Sequence, residues 1–243
     1  MNRLAVPLLW LTAAAVLASC TDSNTTVYIL RNQVLTSGCL IPNGSGTDFV
    51  GFGELDVTEP IPGTNFANPG YILAAAVQNG TTSNATLPNA HIFYAMGADV
   101  ELRSNGSSAS EALVTALSVR DLANRTQHFA ASIPPGSTAG VGFPIIDLEQ
   151  TEALNQILGG QIVQIIARSK MFGTIDGNSI TADPYDFPVT VCLGCLVNDL
   201  GLCSSLSKTA TFSSGGECNK IQDSVLDCCT TDTGATQCPP VLK

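Results

Sequence analysis

The sequence predicts a mainly β protein: an antiparallel two-sheet sandwich over residues 49–191, then a small disulfide-rich module over residues 192–243. Three observations carry this reading. Residues 49–191 contain no cysteine, and short apolar runs alternate there with Gly, Pro, Asn-Gly and Asp-Gly, the pattern of strands joined by tight turns. Seven of the nine cysteines crowd into residues 192–243, above the ~8–10% that marks a disulfide scaffold. Apolar side chains make up 44% of the 243 residues and charged ones 12%, with a mean hydropathy of +0.25. Disorder needs the opposite balance, so most of the chain should fold.

The first element is an export signal over residues 1–19. Arg3 precedes an apolar run over residues 4–17, interrupted only by Pro7 and Thr12, and small residues follow. Charge, apolar stretch and small residues in that order form a secretory signal peptide, and the run is shorter than the ~18 residues of a membrane span. Leu17-Ala18-Ser19-Cys20 resembles the lipobox of bacterial lipoproteins. The resemblance implies cleavage before Cys20, lipid on its sulfur and acylation of the new amine. Each buried CH₂ contributes about 0.8 kcal/mol, and two or more chains hold a protein durably on a membrane. Thr21, rather than an aspartate, follows the cysteine, which by the same resemblance implies the outer membrane of a Gram-negative cell.

Residues 20–48 read as the lipidated cysteine and a tether, polar at 21–26 and turn-forming at Asn43-Gly44-Ser45-Gly46, with a short strand over 26–30. In the body, residues 71–78 form a strand that ends at Asn79-Gly80, and residues 91–96 and 100–102 form strands around Gly97. Residues 111–122 mix helical and strand periods and settle neither. Pro134-Pro135-Gly136 is a turn, and Pro144 places the extended run 141–146 at an edge or a bulge. Residues 148–158, stopped by Gly159-Gly160, form a short helix. A long strand over 162–172 sets Val163, Ile165, Ala167 and Ser169 on one face. An Asp176-Gly177 hairpin then leads to a return strand from Tyr185 into Cys192. This hairpin-rich order resembles the immunoglobulin-like or fibronectin-like superfold. It lacks the inter-sheet cysteine pair and the strand tryptophan of antibody domains, since the sole Trp is Trp10. The plan as a whole resembles cysteine-rich Gram-negative outer-membrane lipoproteins, a class with no known activity to transfer.

Nine cysteines are an odd number, which in an exported protein asks for an explanation. Lipid on Cys20 leaves Cys39, Cys192, Cys195, Cys203, Cys218, Cys228, Cys229 and Cys238, an even set that an oxidising compartment would pair. These allow 105 pairings. Cys39 lies far from the rest, so its partner is expected in the tail, closing a loop of about 150 residues or more. In the chain-entropy model such a loop contributes on the order of 4–5 kcal/mol. Cys192-Leu193-Gly194-Cys195 is also the spacing of a redox pair. A zinc site would want a second such pair or two histidines, and the sequence predicts no metal.

The rest of the chemistry is sparse. A net charge of −10 and a pI near 4.4 exclude nucleic-acid binding as a main role, since Lys and Arg must meet the phosphates. Only two histidines occur, His91 and His128, both within apparent strands and both read as core or half-buried. No GxSxG elbow surrounds a serine, and Gly51-Phe52-Gly53 is neither a P-loop nor GxGxxG. The carboxylate pairs Glu54/Asp56 and Asp147/Glu149 read as solvated surface, and Asp176-Gly177-Asn178 with Asp183/Asp186 as turn residues rather than a calcium loop. The expectation is therefore a membrane-anchored envelope lipoprotein with a non-catalytic binding or structural role. It needs no cofactor beyond the lipid on Cys20, and its partner is an envelope protein or polysaccharide. The alternative is an extracytoplasmic thiol–disulfide oxidoreductase using Cys192 and Cys195. A third reading is a hydrolase built on His91 or His128.

Overall fold

The structure is a computed structural model that describes residues 26–43, 48–83, 86, 90–207 and 209–240. The expected signal peptide, the lipobox and Cys20 lie outside the described residues. In chain order the elements are β1 (Val27–Gln33), β2 (Phe49–Val50), β3 (Gly53–Asp56), β4 (Tyr71–Asn79), β5 (Phe93–Ser104), α1 (Ser108–Val119), β6 (Asn124–Ile133), β7 (Thr138–Ile146), α2 (Leu148–Ile157), β8 (Val163–Ile175), β9 (Asn178–Thr181), β10 (Tyr185–Cys192), β11 (Val197–Leu202), β12 (Leu226–Thr230) and β13 (Thr236–Gln237). One sheet has the order β2-β1-β4-β7, a second β3-β10-β8-β5-β6 with β9 added to β8, and a third β11-β12-β13. The first two sheets share a single apolar core, with Leu73 and Val77 from one and Phe93, Ile165 and Val189 from the other. This is the expected sandwich, followed by the expected disulfide-rich module.

Strand β8 shows how the pattern produces the layer. Its residues alternate inward and outward along all thirteen positions, with Ile165, Ala167, Ser169 and Met171 fully buried, as period two demands. It turns at Asp176 and Gly177, whose φ values of 50° and 80° suit the left-handed geometry of a two-residue hairpin. Strand β7 is an edge of its sheet and also bulges, its register against β4 shifting between Tyr71 and Ile72, so Pro144 costs no ladder bond. Helix α2 starts on Asp147, whose carboxylate accepts from Gln150 N while the Gln150 side chain accepts from Asp147 N, a reciprocal capping box.

Several expectations change. Residues 111–119 of the ambiguous stretch 111–122 belong to a helix, α1, whose N-terminus is capped by the Ser107 hydroxyl. Its Leu113 and Leu117 reach the core, and that burial decides the ambiguous period. The two strands expected around Gly97 are one, β5, with a bulge between Ala95 and Gly97. A side chain at Gly97 would collide with the Gln127 carbonyl, so the bulge needs glycine. Antiparallel pairing fails at one edge, where β3 runs parallel to β10.

The expected tether is not free either. It contributes β1, which pairs with β4 and buries Val27 and Ile29 in the core. Farther on, Ile41 and Pro42 lie so close over β7 that a Cβ at Gly140 or Gly142 would overlap them. Those two glycines exist to let a second chain segment lie flat on the sheet. The tail, expected as a separate unit from residue 192, has its own small core of Leu196, Ile221, Leu226 and Cys228, yet this core takes Ile61 from the loop between β3 and β4.

The core analysis yields a contrast between neighbouring isoleucines. Ile165 is fully buried and Ile162 is 70% exposed. Ile165→Ala should cost about 2–5 kcal/mol in urea unfolding, whereas Ile162→Ala should stay within about 0.5 kcal/mol of the parent.

Candidate functional site

All eight cysteines of the described residues are paired: Cys39–Cys218, Cys192–Cys195, Cys203–Cys229 and Cys228–Cys238. Cys39 finds its partner in the tail, as expected, across 179 positions. The adjacent Cys228 and Cys229 serve two different bridges. Cys20 has no partner left among these eight.

The Cys192–Cys195 bridge closes a loop directly after β10. Cys192 is buried and Cys195 exposed, so the bond can be reached from solvent through Cys195. Beside it stands Asp56, fully buried at the end of β3. One Asp56 carboxylate oxygen accepts from Thr58 N at 3.0 Å, Thr58 Oγ1 at 2.6 Å and Gly194 N at 2.9 Å. The other accepts from Leu196 N at 3.0 Å. Glu54 remains exposed, but the reading of Asp56 as solvated surface is overturned: four donors from two segments replace its water.

This geometry can order a loop better than it can drive redox chemistry. A helix start or a cation beside a CxxC pair stabilises the attacking thiolate. Here the sequel is strand β11, and the group that stands within 4.8 Å of both sulfurs is an acid, Asp56, not a cation. Asp56 and the two sulfurs bring their ligand atoms within 4.8 Å of one another. Joined to each other, however, the sulfurs are not thiolate ligands, and the carboxylate's lone pairs are engaged.

A second polar cluster, which sequence reading missed, sits where the tail meets the sandwich. Residues 219–223 run along the free edge of β3. Asp56 N donates to Ile221 O, Asp223 N to Glu54 O, and Glu54 N to the Asp223 carboxylate at 2.7 Å. The Gln222 amide binds both backbone groups of Ile72, accepting from its N and donating to its O, each at 3.0 Å. Asn219 reaches Asn68 and Gly70 O. Tyr71 Oη donates to Asp223 at 2.7 Å and accepts from the Asn32 amide. Burial pushes the Tyr71 phenol well above its ordinary range, and the Asp223 charge adds to this. Asp223 sits on an exposed left-handed turn (φ 56°) with its carboxyl directed inward. Withdrawal of that carboxyl from water raises its pKa, outweighing its three donors. A cleft of about 220 Å³ opens along this seam, between Asn32, Gln33, Val34 and Ile72 on one side and residues 215–219 of the tail on the other.

The remaining candidates disperse. His91 is not in a strand: it precedes β5 at φ 65°, is 42% exposed, and holds Asp176 through Nδ1 at 2.5 Å. The backbone bond from His91 N, followed by that side-chain contact, keeps the Asp176 carboxyl below its usual range. His128 does lie on β6, but it is exposed and meets Phe172 edge-on; β6 is an edge strand whose outward face is uncovered. Among the described residues no Ser, Thr or Cys side chain bonds either ring. Asp147 caps α2, Glu149 pairs with Arg125, and Asp186 takes a two-pronged bond from Arg168 that holds its carboxyl low.

Compared with protein-family models the chain matches none, and no curated protein matches its sequence.

Two predictions follow from the buried carboxyls. Asp56→Asn keeps the size but sets an amide N–H against a backbone donor, and should cost about 2–4 kcal/mol in urea unfolding; Glu54→Gln should be nearly silent. Because the folded pKa of Asp223 is raised, its contribution is present when it is protonated and lost as pH rises through that value. The stability of Asp223→Asn relative to the parent should therefore improve as pH rises from below the ordinary aspartate range through the raised folded value, and level off above it.

Proposed function

We propose that this protein is an exported lipoprotein of the bacterial cell envelope, held by lipid on Cys20 at the outer membrane of a Gram-negative cell. Its role there is binding or scaffolding without catalysis. The observation that carries the reading is the complete pairing of the eight other cysteines. Such pairing fits an oxidising compartment, and it leaves Cys20, at the end of a signal-like segment, as the one thiol for another use. The non-catalytic half is supported by the scatter of the two histidines and by the carboxylate beside the CxxC bridge.

The test is mass spectrometry with thiol alkylation on protein made with its own leader and extracted from membranes. The proposal expects a lipid mass on Cys20 and no alkylated cysteine, and it expects Cys20→Ser to move the protein out of the membrane fraction. An unmodified Cys20 refutes the anchor. Reactive thiols at Cys192 and Cys195 refute the non-catalytic role in favour of thiol–disulfide exchange.

A further inference from the structure

The outward face of the second sheet carries exposed and half-buried side chains along β5, β6 and β8, and its charges are ordered. Strands β5, β8 and β10 hold three acids, Asp99, Glu101 and Asp186, and three bases, Arg103, Arg168 and Lys170. None of the six is buried, because all stand on the side away from the core. That balance sets the face apart in a chain of net charge −10. Asp99 lies opposite Lys170 and Glu101 opposite Arg168, so two acids follow one another on β5 and two bases beside them on β8. A depression of about 330 Å³ runs between these four, lined also by Asn124 and Thr126 of β6. Glu101 is held by Arg103 Nε at 3.0 Å and Arg168 by Asp186, each with N–H groups or lone pairs to spare. Asp99 accepts from the Thr126 hydroxyl at 2.7 Å but forms no salt bridge, and nothing among the described residues pairs with the Lys170 ammonium. One row farther along, the β5 bulge leaves Tyr94 and Met96 exposed beside the half-buried Phe172.

We infer that a second copy of this chain docks on the face, with β5 of each copy lying over β8 of the other. A two-fold axis parallel to the strands, between β5 and β8 and above the face, exchanges the two strands and preserves the rows. It sets Asp99 of each copy against Lys170 of the other, Glu101 against Arg168 and Met96 against Phe172, every contact occurring twice. Lys170 gains a counter-charge, the thioether meets an aromatic ring, and the two sheets face each other in the aligned manner of a sandwich. The charge pattern selects this axis. One perpendicular to the strands lays β5 on β5 and brings Asp99 over Glu101, like charge on like. A partner of uniform charge meets one attractive column and one repulsive one, and a neutral polymer leaves Lys170 unpaired. Away from this face two chains of net charge −10 repel each other, which confines their association to it. The inference gives the scaffolding role a partner and is independent of the anchor.

Sedimentation velocity of the full, disulfide-bonded chain in density-matched detergent tests it, over a range from about 1 to about 100 μM. The parent should sediment with twice the mass of one chain. Asp99→Lys sets a lysine against Lys170, and Lys170→Glu sets a glutamate against Asp99. Each variant alone should therefore weaken the dimer by about tenfold or more, with its circular dichroism unchanged. An equal mixture of the two variants makes both facing pairs opposite in charge again, and should restore the dimer. A parent that stays monomeric, folded single variants that dimerise as the parent does, or a mixture that stays monomeric overturns the inference. Repeating the run on Cys20→Ser should leave the dimer in place, so failure of the anchor and failure of the docking face are told apart; a dimer that needs the lipid overturns the inference as well.

Discussion

A sheet edge next to a core must find a partner for its backbone, and in this protein the partner comes from the far end of the chain. β3 is four residues long, parallel to β10 on one side and open on the other. The tail covers that open edge at residues 221–223, with Leu55 bridged to Gln222. Unpaired N–H and C=O groups at such a depth would be destabilising. Supplying their partners from the tail makes the sandwich and the disulfide-rich module one piece. Asp56, at the end of the same strand, repeats the logic with a side chain, gathering donors from the CxxC loop.

The disulfides reinforce this join. Cys203–Cys229 and Cys228–Cys238 hold a polar, glycine-containing module whose apolar cluster is too small to order it alone. Cys39–Cys218 does something different. It ties the segment after β1 to the loop that carries Glu217 and Asn219, so the chain-entropy gain of a very long loop falls on the seam. Gly38 N on the Glu217 carboxylate, at 3.0 Å, adds a polar contact at the same place.

Polar groups are consequently concentrated where the two parts meet rather than on the sandwich faces. Asn32, Asn68, Asn219 and Gln222 are all buried there, and each satisfies backbone or side-chain groups from a distant segment. Amides suit this work because one group both donates and accepts without a desolvated charge. Gln33, buried beside them, donates its amide to Pro42 O and leaves its own oxygen without a partner among the described residues.

Local order was legible in the sequence by itself. Alternation identified β8 and β10, Asp176-Gly177 their hairpin, Pro144 an edge and a bulge, and the glycine pair the end of α2, because each signal acts within a few residues. The cysteine count and the isolation of Cys39 pointed to a bridge into the tail. Tertiary structure decided the rest. It carried the short strand expected over 26–30 on to Gln33 and set it in the core sheet as β1, resolved α1 as a helix, moved His91 out of its strand, and buried Asp56 among four donors. It also chose one cysteine pairing and assembled the seam from residues 32–33, 68–72 and 215–224. The reason is physical: periodicity encodes which side of a segment is buried, whereas the partner of a free edge or a buried carboxylate is set by which distant segment arrives beside it.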